Sequence, residues 1–222
     1  MRKILLILLL LVTFNQLSAQ RIEYFGGVNK NYFYDFKNDT KLAYFLSEYE
    51  AGNGFQIGFS VEDIEIDSIP FRFTFSIVNY KGTLSLADGY LNGGSTSNFT
   101  SNKYLANIGI YPINKDLGQN FTLNLGTEIS YLMVQSVVGN HLKYRINEGQ
   151  EIIKMDSDYL KTKRNVYFGL GARLAYDIPL LNDWILVPQY SFYFGLTNEF
   201  KNVEAKSKAM RHFLSLGLSK IL

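Results

Sequence analysis

From Val166 to Leu196 nearly every second residue is bulky and apolar, and many of those between are small or polar. In the first run Val166, Phe168, Leu170, Leu174, Tyr176 and Ile178 alternate with Gly169, Gly171, Arg173 and Asp177. In the second, Trp184, Leu186, Pro188, Tyr190, Phe192, Phe194 and Leu196 share one face. A period of two belongs to strands, because successive side chains leave opposite sides of a pleated backbone. The same period marks eight segments, roughly 22–36, 53–63, 70–81, 102–113, 120–137, 164–178, 184–198 and 209–222. Short connections at 64–69, 114–119 and 179–183 alternate with longer ones at 39–52, 82–101 and 138–163, and 199–208 is intermediate. An even number of strands joined by short turns at one end and long loops at the other is an up-and-down meander that closes on itself.

The two faces of these strands decide what surrounds them. Phe71, Phe73, Phe75 and Ile77 oppose Arg72, Thr74 and Ser76, while Phe121, Leu123, Leu125, Ile129 and Tyr131 oppose Thr122, Asn124, Gly126, Glu128 and Ser130. The interior of an eight-stranded barrel is only wide enough for side chains to fill. Aromatic rows from every strand would overfill it, whereas glycines, small residues and a few charges fit. The bulky rows therefore face outward, and an outward apolar surface requires lipid. Gly58, Gly109, Gly126, Gly169, Gly171, Gly195 and Gly217 all fall on the inward row, where they relieve crowding. Phe71, Phe73, Phe75, Trp184, Tyr190, Phe192 and Phe194 make up lipid-facing and girdle positions. A soluble carrier barrel would need the opposite arrangement, with a charged outer row. The fold expected is thus all-β: an eight-stranded antiparallel up-and-down transmembrane β-barrel.

Export is written at the start. Arg2 and Lys3 precede an apolar core of about nine residues, too short to span a bilayer as a helix, and Leu17-Ser18-Ala19 follows. This pattern reads as a signal peptide over 1–19, leaving 20–222 as the barrel domain. Removing Arg2 and Lys3 from the 22 basic residues leaves 20, against 20 acidic ones, so no cationic excess favours nucleic acid. The absence of cysteine excludes disulfides and a lipid-modified cysteine.

The closing strand, Arg211-His-Phe-Leu-Ser-Leu-Gly-Leu-Ser-Lys-Ile-Leu222, together with Gly26-Gly-Val-Asn29 and the Ala19-Gln20 junction, resembles the PorT-like outer-membrane β-barrel family of Bacteroidetes-type bacteria. The resemblance implies an outer-membrane location, insertion by the barrel-assembly machinery and a barrel architecture, without one shared activity. Some relatives take part in protein secretion. This chain departs from the common aromatic final residue by ending in Leu222.

Catalytic signals are sparse. His141 and His212 are the two histidines, His212 and Ser215 fall on opposite faces of one strand, and Asp156 and Asp158 lie in the longest connection. No phosphate loop or metal-ligand spacing is present, so neither an enzyme nor a cofactor is expected. The inward charges Glu62, Arg72, Glu128, Arg173 and Asp177 suggest a lumen network. Glu128 is expected to pair with Arg173, and Arg72 and Asp177 to extend the network toward the short-turn end, since a buried charge is tolerated only when partnered. The function expected is a small monomeric outer-membrane barrel with a closed polar interior, in contact with outer-membrane lipid, using loops 39–52, 82–101 and 138–163 for surface interaction or scaffolding. Two other readings stand beside it: a secretion-machinery component that binds protein partners, and a lipid-directed outer-membrane enzyme.

Overall fold

The computed structural model describes residues 21–38, 44–66, 69–90, 93–145, 149–155, 165–199 and 205–222. The expected signal peptide, Asp156, Asp158 and parts of the three long connections lie outside the described residues. The described chain is all strand and turn: β1 (Arg21–Asn38), β2 (Tyr44–Ile66), β3 (Ile69–Tyr90), β4 (Gly93–Gly118), β5 (Phe121–Arg145), β6 (Gly149–Met155), β7 (Val166–Tyr176), β8 (Ile178–Pro179), β9 (Trp184–Asn198) and β10 (Ala205–Ile221). Each long strand pairs antiparallel with the next along the chain. β6 pairs with the upper part of β5, and β7 with the lower part. The ring closes where β10 pairs with β1, from Arg21↔Ile221 to Asn38↔Ala205. No sheet edge remains around the body of the barrel, which is what closure achieves.

The register fixes the barrel's shape. Starting at Met210 and stepping across through Phe194, Leu170, Thr127, Ile110, Phe73, Val61 and Ile22, the path returns to β10 at Lys220, ten residues further along. Eight strands with a ten-residue stagger correspond to strands tilted about 40° from the barrel axis. The outward row is apolar around the circumference: Ile57, Ile77, Ile108, Ile129, Leu170 and Leu216 are all exposed. Phe71, Phe73, Phe75, Trp184, Tyr190, Phe192 and Phe194 stand on the same row, half-buried or exposed, with Phe59 stacked on Phe75 at 5.3 Å and Phe71 on Phe73 at 6.0 Å.

The turns at the termini end are tight. Gln119 and Asn120 take φ of 51° and 67° between β4 and β5, and Asn182 and Asp183 take 58° and 62° before β9. Two successive left-handed residues match the twist of the flanking strands, and Asn and Asp tolerate that conformation. The Asn114–Gly118 segment, expected as the turn, instead extends β4, and the chain reverses at Gln119-Asn120.

The opposite end differs more from expectation. Most of the connection at 82–101 is a continuation of β3 and β4, paired from Gly82↔Ser101 to Tyr90↔Gly93. In 138–163 the upper part of β5 pairs with β6, and within 39–52 the stretch from Tyr44 belongs to β2. In 82–101 the outward positions carry Thr83, Ser85, Thr96, Asn98 and Thr100, so no bulky outward row marks that stretch as strand. Backbone pairing and polar cross-strand contacts, such as Thr83 Oγ1 to Thr100 Oγ1 at 2.9 Å, hold it. A bulge on β5 near Met133 also reverses the facing of its upper part: Val137 is buried inside while Val134 and Val138 are exposed.

Inward glycine is a steric requirement where side chains cross the lumen. A Cβ on Gly169 would sit 2.4 Å from the Tyr193 ring. Gly169→Leu is expected to prevent folding into the barrel or to lower its urea midpoint strongly. Leu170→Phe, one residue along and facing outward, is expected to leave the midpoint near wild type; equal effects would contradict the facing assigned here.

Candidate functional site

The inward side chains form two charge clusters at different levels. The lower one lies toward the termini end and is centred on Glu23 of β1, whose neighbour Gly217 leaves it room: a Cβ there would lie 2.7 Å from the Glu23 carboxylate. Glu23 Oε2 accepts from Arg173 at 2.7 Å and from Arg72 at 3.2 Å, and Glu23 Oε1 accepts from Gln189 at 3.0 Å. Arg72 also pairs with Glu62, and Arg173 reaches Asn124 at 2.8 Å and Gln189. Below them Arg21 makes a forked pair with Asp177 at 2.5 and 2.9 Å and stands 3.5 Å from Glu62. Such two-pronged guanidinium–carboxylate bonds fix geometry as well as charge.

Glu62, Arg72, Arg173 and Asp177 thus meet in one network, but Glu128 does not join it as expected. Its register partner is Gly169, four residues along β7 from Arg173, which lies opposite Asn124. Glu128 instead accepts from the Tyr111 hydroxyl at 2.5 Å and from Asn107 at 2.8 Å. Gly171 makes this possible, since a Cβ there would fall 2.6 Å from the Glu128 carboxylate.

The upper cluster was not anticipated. Lys103 of β4 and Arg211 of β10 both pair with Glu199, at 2.7 and 3.1 Å, and the Tyr80 hydroxyl donates to Glu199 at 2.6 Å. The Arg211 guanidinium lies between the rings of Tyr80 and Tyr193, 4.2 and 4.4 Å from their centroids, and Lys103 lies 4.9 Å over Tyr167. Ring faces are negative, so they add to the Glu199 carboxylate in holding two buried cations. A signal existed in the sequence: Lys103, Glu199 and Arg211 have the inward parity of Asn107, Gly195 and Gly217. Lys103 and Arg211 sit within the expected strands and Glu199 at the start of a connection, and none was singled out.

The interior is also less polar than expected. Around the upper cluster Phe33, Val78, Leu84, Phe99, Leu105 and Phe213 form a contiguous buried apolar core. Between the clusters a void of ≈ 30 Å³, lined in part by Gln56, Arg72, Asn107 and Glu128, has room for about two waters. The inward ionisable groups described above comprise five cations (Arg21, Arg72, Lys103, Arg173, Arg211) and five carboxyl groups (Glu23, Glu62, Glu128, Asp177, Glu199), so their formal charges balance when all are ionised. Of the histidines, His141 stands on the upper part of β5 with Nδ1 2.7 Å from Ser97 Oγ, and His212 faces outward while Ser215 accepts from Gln56 inside. Among the described residues no group of three or more His, Cys, Asp or Glu is placed to hold a metal ion.

No family model matches the chain, and no curated protein matches it. Similar solved structures are small barrels. Neisserial surface protein A is 12% identical, covering 91% of this chain and 96% of its own, with a TM-score of 0.41. The outer membrane protein OprG from Pseudomonas aeruginosa is 11% identical over 92% and 97%, with a TM-score of 0.43. The attachment invasion locus protein of Yersinia pestis, in complex with a heparin analogue, is 11% identical over 90% and 97%, with a TM-score of 0.38. Likenesses this distant bear on no activity. The architecture rests on the closed sheet itself, an antiparallel ring of eight strands as in small outer-membrane barrels.

Removing Glu23 would break its ion pairs with two buried guanidinium groups, leaving Glu62 as the carboxylate nearest both Arg72 and Arg173. Glu23→Ala is therefore expected to cost about 3–5 kcal/mol of unfolding free energy, the range for breaking a buried ion pair. Glu128→Gln retains a hydrogen-bonding side chain without abandoning a cation and is expected to cost about 1 kcal/mol. Denaturant unfolding followed by Trp184 fluorescence checks both; equal losses would contradict the division of the lumen drawn here.

Proposed function

We infer that the protein is an integral outer-membrane β-barrel with an interior closed to solutes, serving as a surface-interaction or scaffolding module through the strand hairpins that rise beyond its apolar belt. The observation that carries this reading is the pairing of faces: an apolar outer row around a ring without edges, over a lumen filled by partnered charges and aromatic rings. An apolar surface of this breadth on a chain in water would be an aggregation hazard. In a bilayer it is the cover the barrel needs, and the closed ladder satisfies the backbone groups that hydrocarbon cannot. The termini and tight turns then face the periplasm, and the hairpins β3–β4 and β5–β6 face outward. The likeness of the closing strand to PorT-like barrels fits the same location.

The clusters argue against conduction. A pore needs a continuous wet path, whereas here Arg72, Arg173 and Glu23 meet across the lower lumen and Arg211, Tyr80 and Tyr193 across the upper. Planar bilayer recordings on the purified protein are expected to show no steady openings; sustained openings that depend on Glu128 would overturn the closed reading. A role in secretion would show as a protein partner recovered from solubilised membranes, and a lipid-directed activity as altered lipid A mass in cells overproducing the chain.

A further inference from the structure

The outward row is largely apolar through the middle of the barrel, and near its upper end, on the seam between β10 and β1, polar groups gather. Lys30 and His212 are register partners there, and Asn53 of β2 is Lys30's partner on the other side. All three border a groove of ≈ 460 Å³ on the outer face, whose floor and flank include Val28, Leu214 and Tyr190. His212 is held in place: its Nδ1 lies 2.5 Å from the Tyr190 hydroxyl, and its ring meets those of Tyr32 and Phe192 at 5.5 and 5.1 Å. Lys30 Nζ stands 5.6 Å from the Tyr32 ring centroid, and among the described residues no carboxylate forms an ion pair with it.

The level of this cluster matters. Lys220, beside Trp184 at 5.7 Å, marks the termini-end rim. His212 is eight residues above it on β10, and on strands tilted about 40° that is roughly 20 Å. Lys30 is one strand further along the rising register, close to the upper limit of an apolar band about 25 Å tall. A cation, an imidazole and a side-chain amide thus converge where outer-leaflet headgroups meet their acyl chains. A lone lysine at such a height ordinarily extends into water. Here a fixed imidazole and an amide stand beside it, over a groove whose lower wall is aliphatic.

We propose that this seam is a lipid-binding site for an outer-leaflet lipid with a phosphorylated headgroup, its phosphate held by Lys30, His212 and Asn53 and an acyl chain lying along Val28 and Leu214. Charge complementarity selects the occupant: an unpaired cation with two further polar groups asks for an anion, and the apolar wall below asks for a chain covalently attached to it. The inference rests on the membrane reading above.

Native mass spectrometry of the detergent-solubilised protein, titrated with diphosphoryl lipid A, tests it. One lipid should be retained per barrel, at least tenfold more tightly than fully dephosphorylated lipid A, and millimolar inorganic phosphate should not displace it. Lys30→Gln and His212→Gln should each weaken retention about tenfold, while Lys220→Gln at the opposite rim should not. Equal retention of the two lipids, no retention, or displacement by inorganic phosphate would overturn the proposal on the wild-type protein alone, whatever the variants' folding. If the membrane reading itself is wrong, the protein will leave the membrane fraction in alkaline carbonate before any lipid is added, so the two failures are distinguishable.

Discussion

The β1–β10 ladder is the contact on which everything else depends. Until Arg21–Asn38 and Ala205–Ile221 pair, the chain is an open eight-stranded sheet with two long edges and no enclosed lumen. Each unsatisfied backbone group in hydrocarbon costs several kcal/mol, so an open sheet cannot remain in a bilayer. The ladder joins the first and last strands, and it therefore makes the whole fold contingent on contacts of the greatest sequence separation. Closure with a ten-residue stagger sets the tilt, and the tilt with the strand count sets a lumen that side chains can fill.

Filling that lumen explains the two clusters. Five cations and five carboxyl groups are taken out of water there, an arrangement that is tolerable only with partners for each. The lower cluster meets this need with arginine forks around Glu23. The upper one joins Lys103 and Arg211 to Glu199 and adds the faces of Tyr80, Tyr167 and Tyr193. The glycines opposite these groups belong to the same solution, since Gly171 and Gly217 leave the space that Glu128 and Glu23 occupy.

The eight strands, the closure and the outward placement of the bulky rows were legible in the alternation, because one buried row and one exposed apolar row leave a strict period of two. The hairpin extensions were not, because Thr83, Ser85, Thr96, Asn98 and Thr100 stand where the bulky outward row would otherwise continue. Periodicity could place Glu62, Arg72, Arg173 and Asp177 on the inward row, and it could not find their partner Glu23, which stands beside Tyr24 and Phe25 at the start of a run. The expected Glu128–Arg173 contact failed through register: Phe121 pairs with Tyr176, which sets Arg173 opposite Asn124, and no short turn joins β5 to β7 to reveal that offset in the sequence. The apolar upper lumen was missed for a related reason, since Val78, Tyr80 and Leu105 sit inward among polar residues that suggested a polar interior.

The central claim is that this ring is closed and embedded in lipid. The most direct measurement is the electrophoretic mobility of the membrane-extracted protein in dodecyl sulfate, with and without boiling. A closed, hydrogen-bonded barrel resists the detergent, so the unboiled protein should run faster and shift to its full-length mobility on heating. Release into aqueous buffer, with the same mobility before and after boiling, would contradict the account and return the outward apolar row to the interior of a soluble fold.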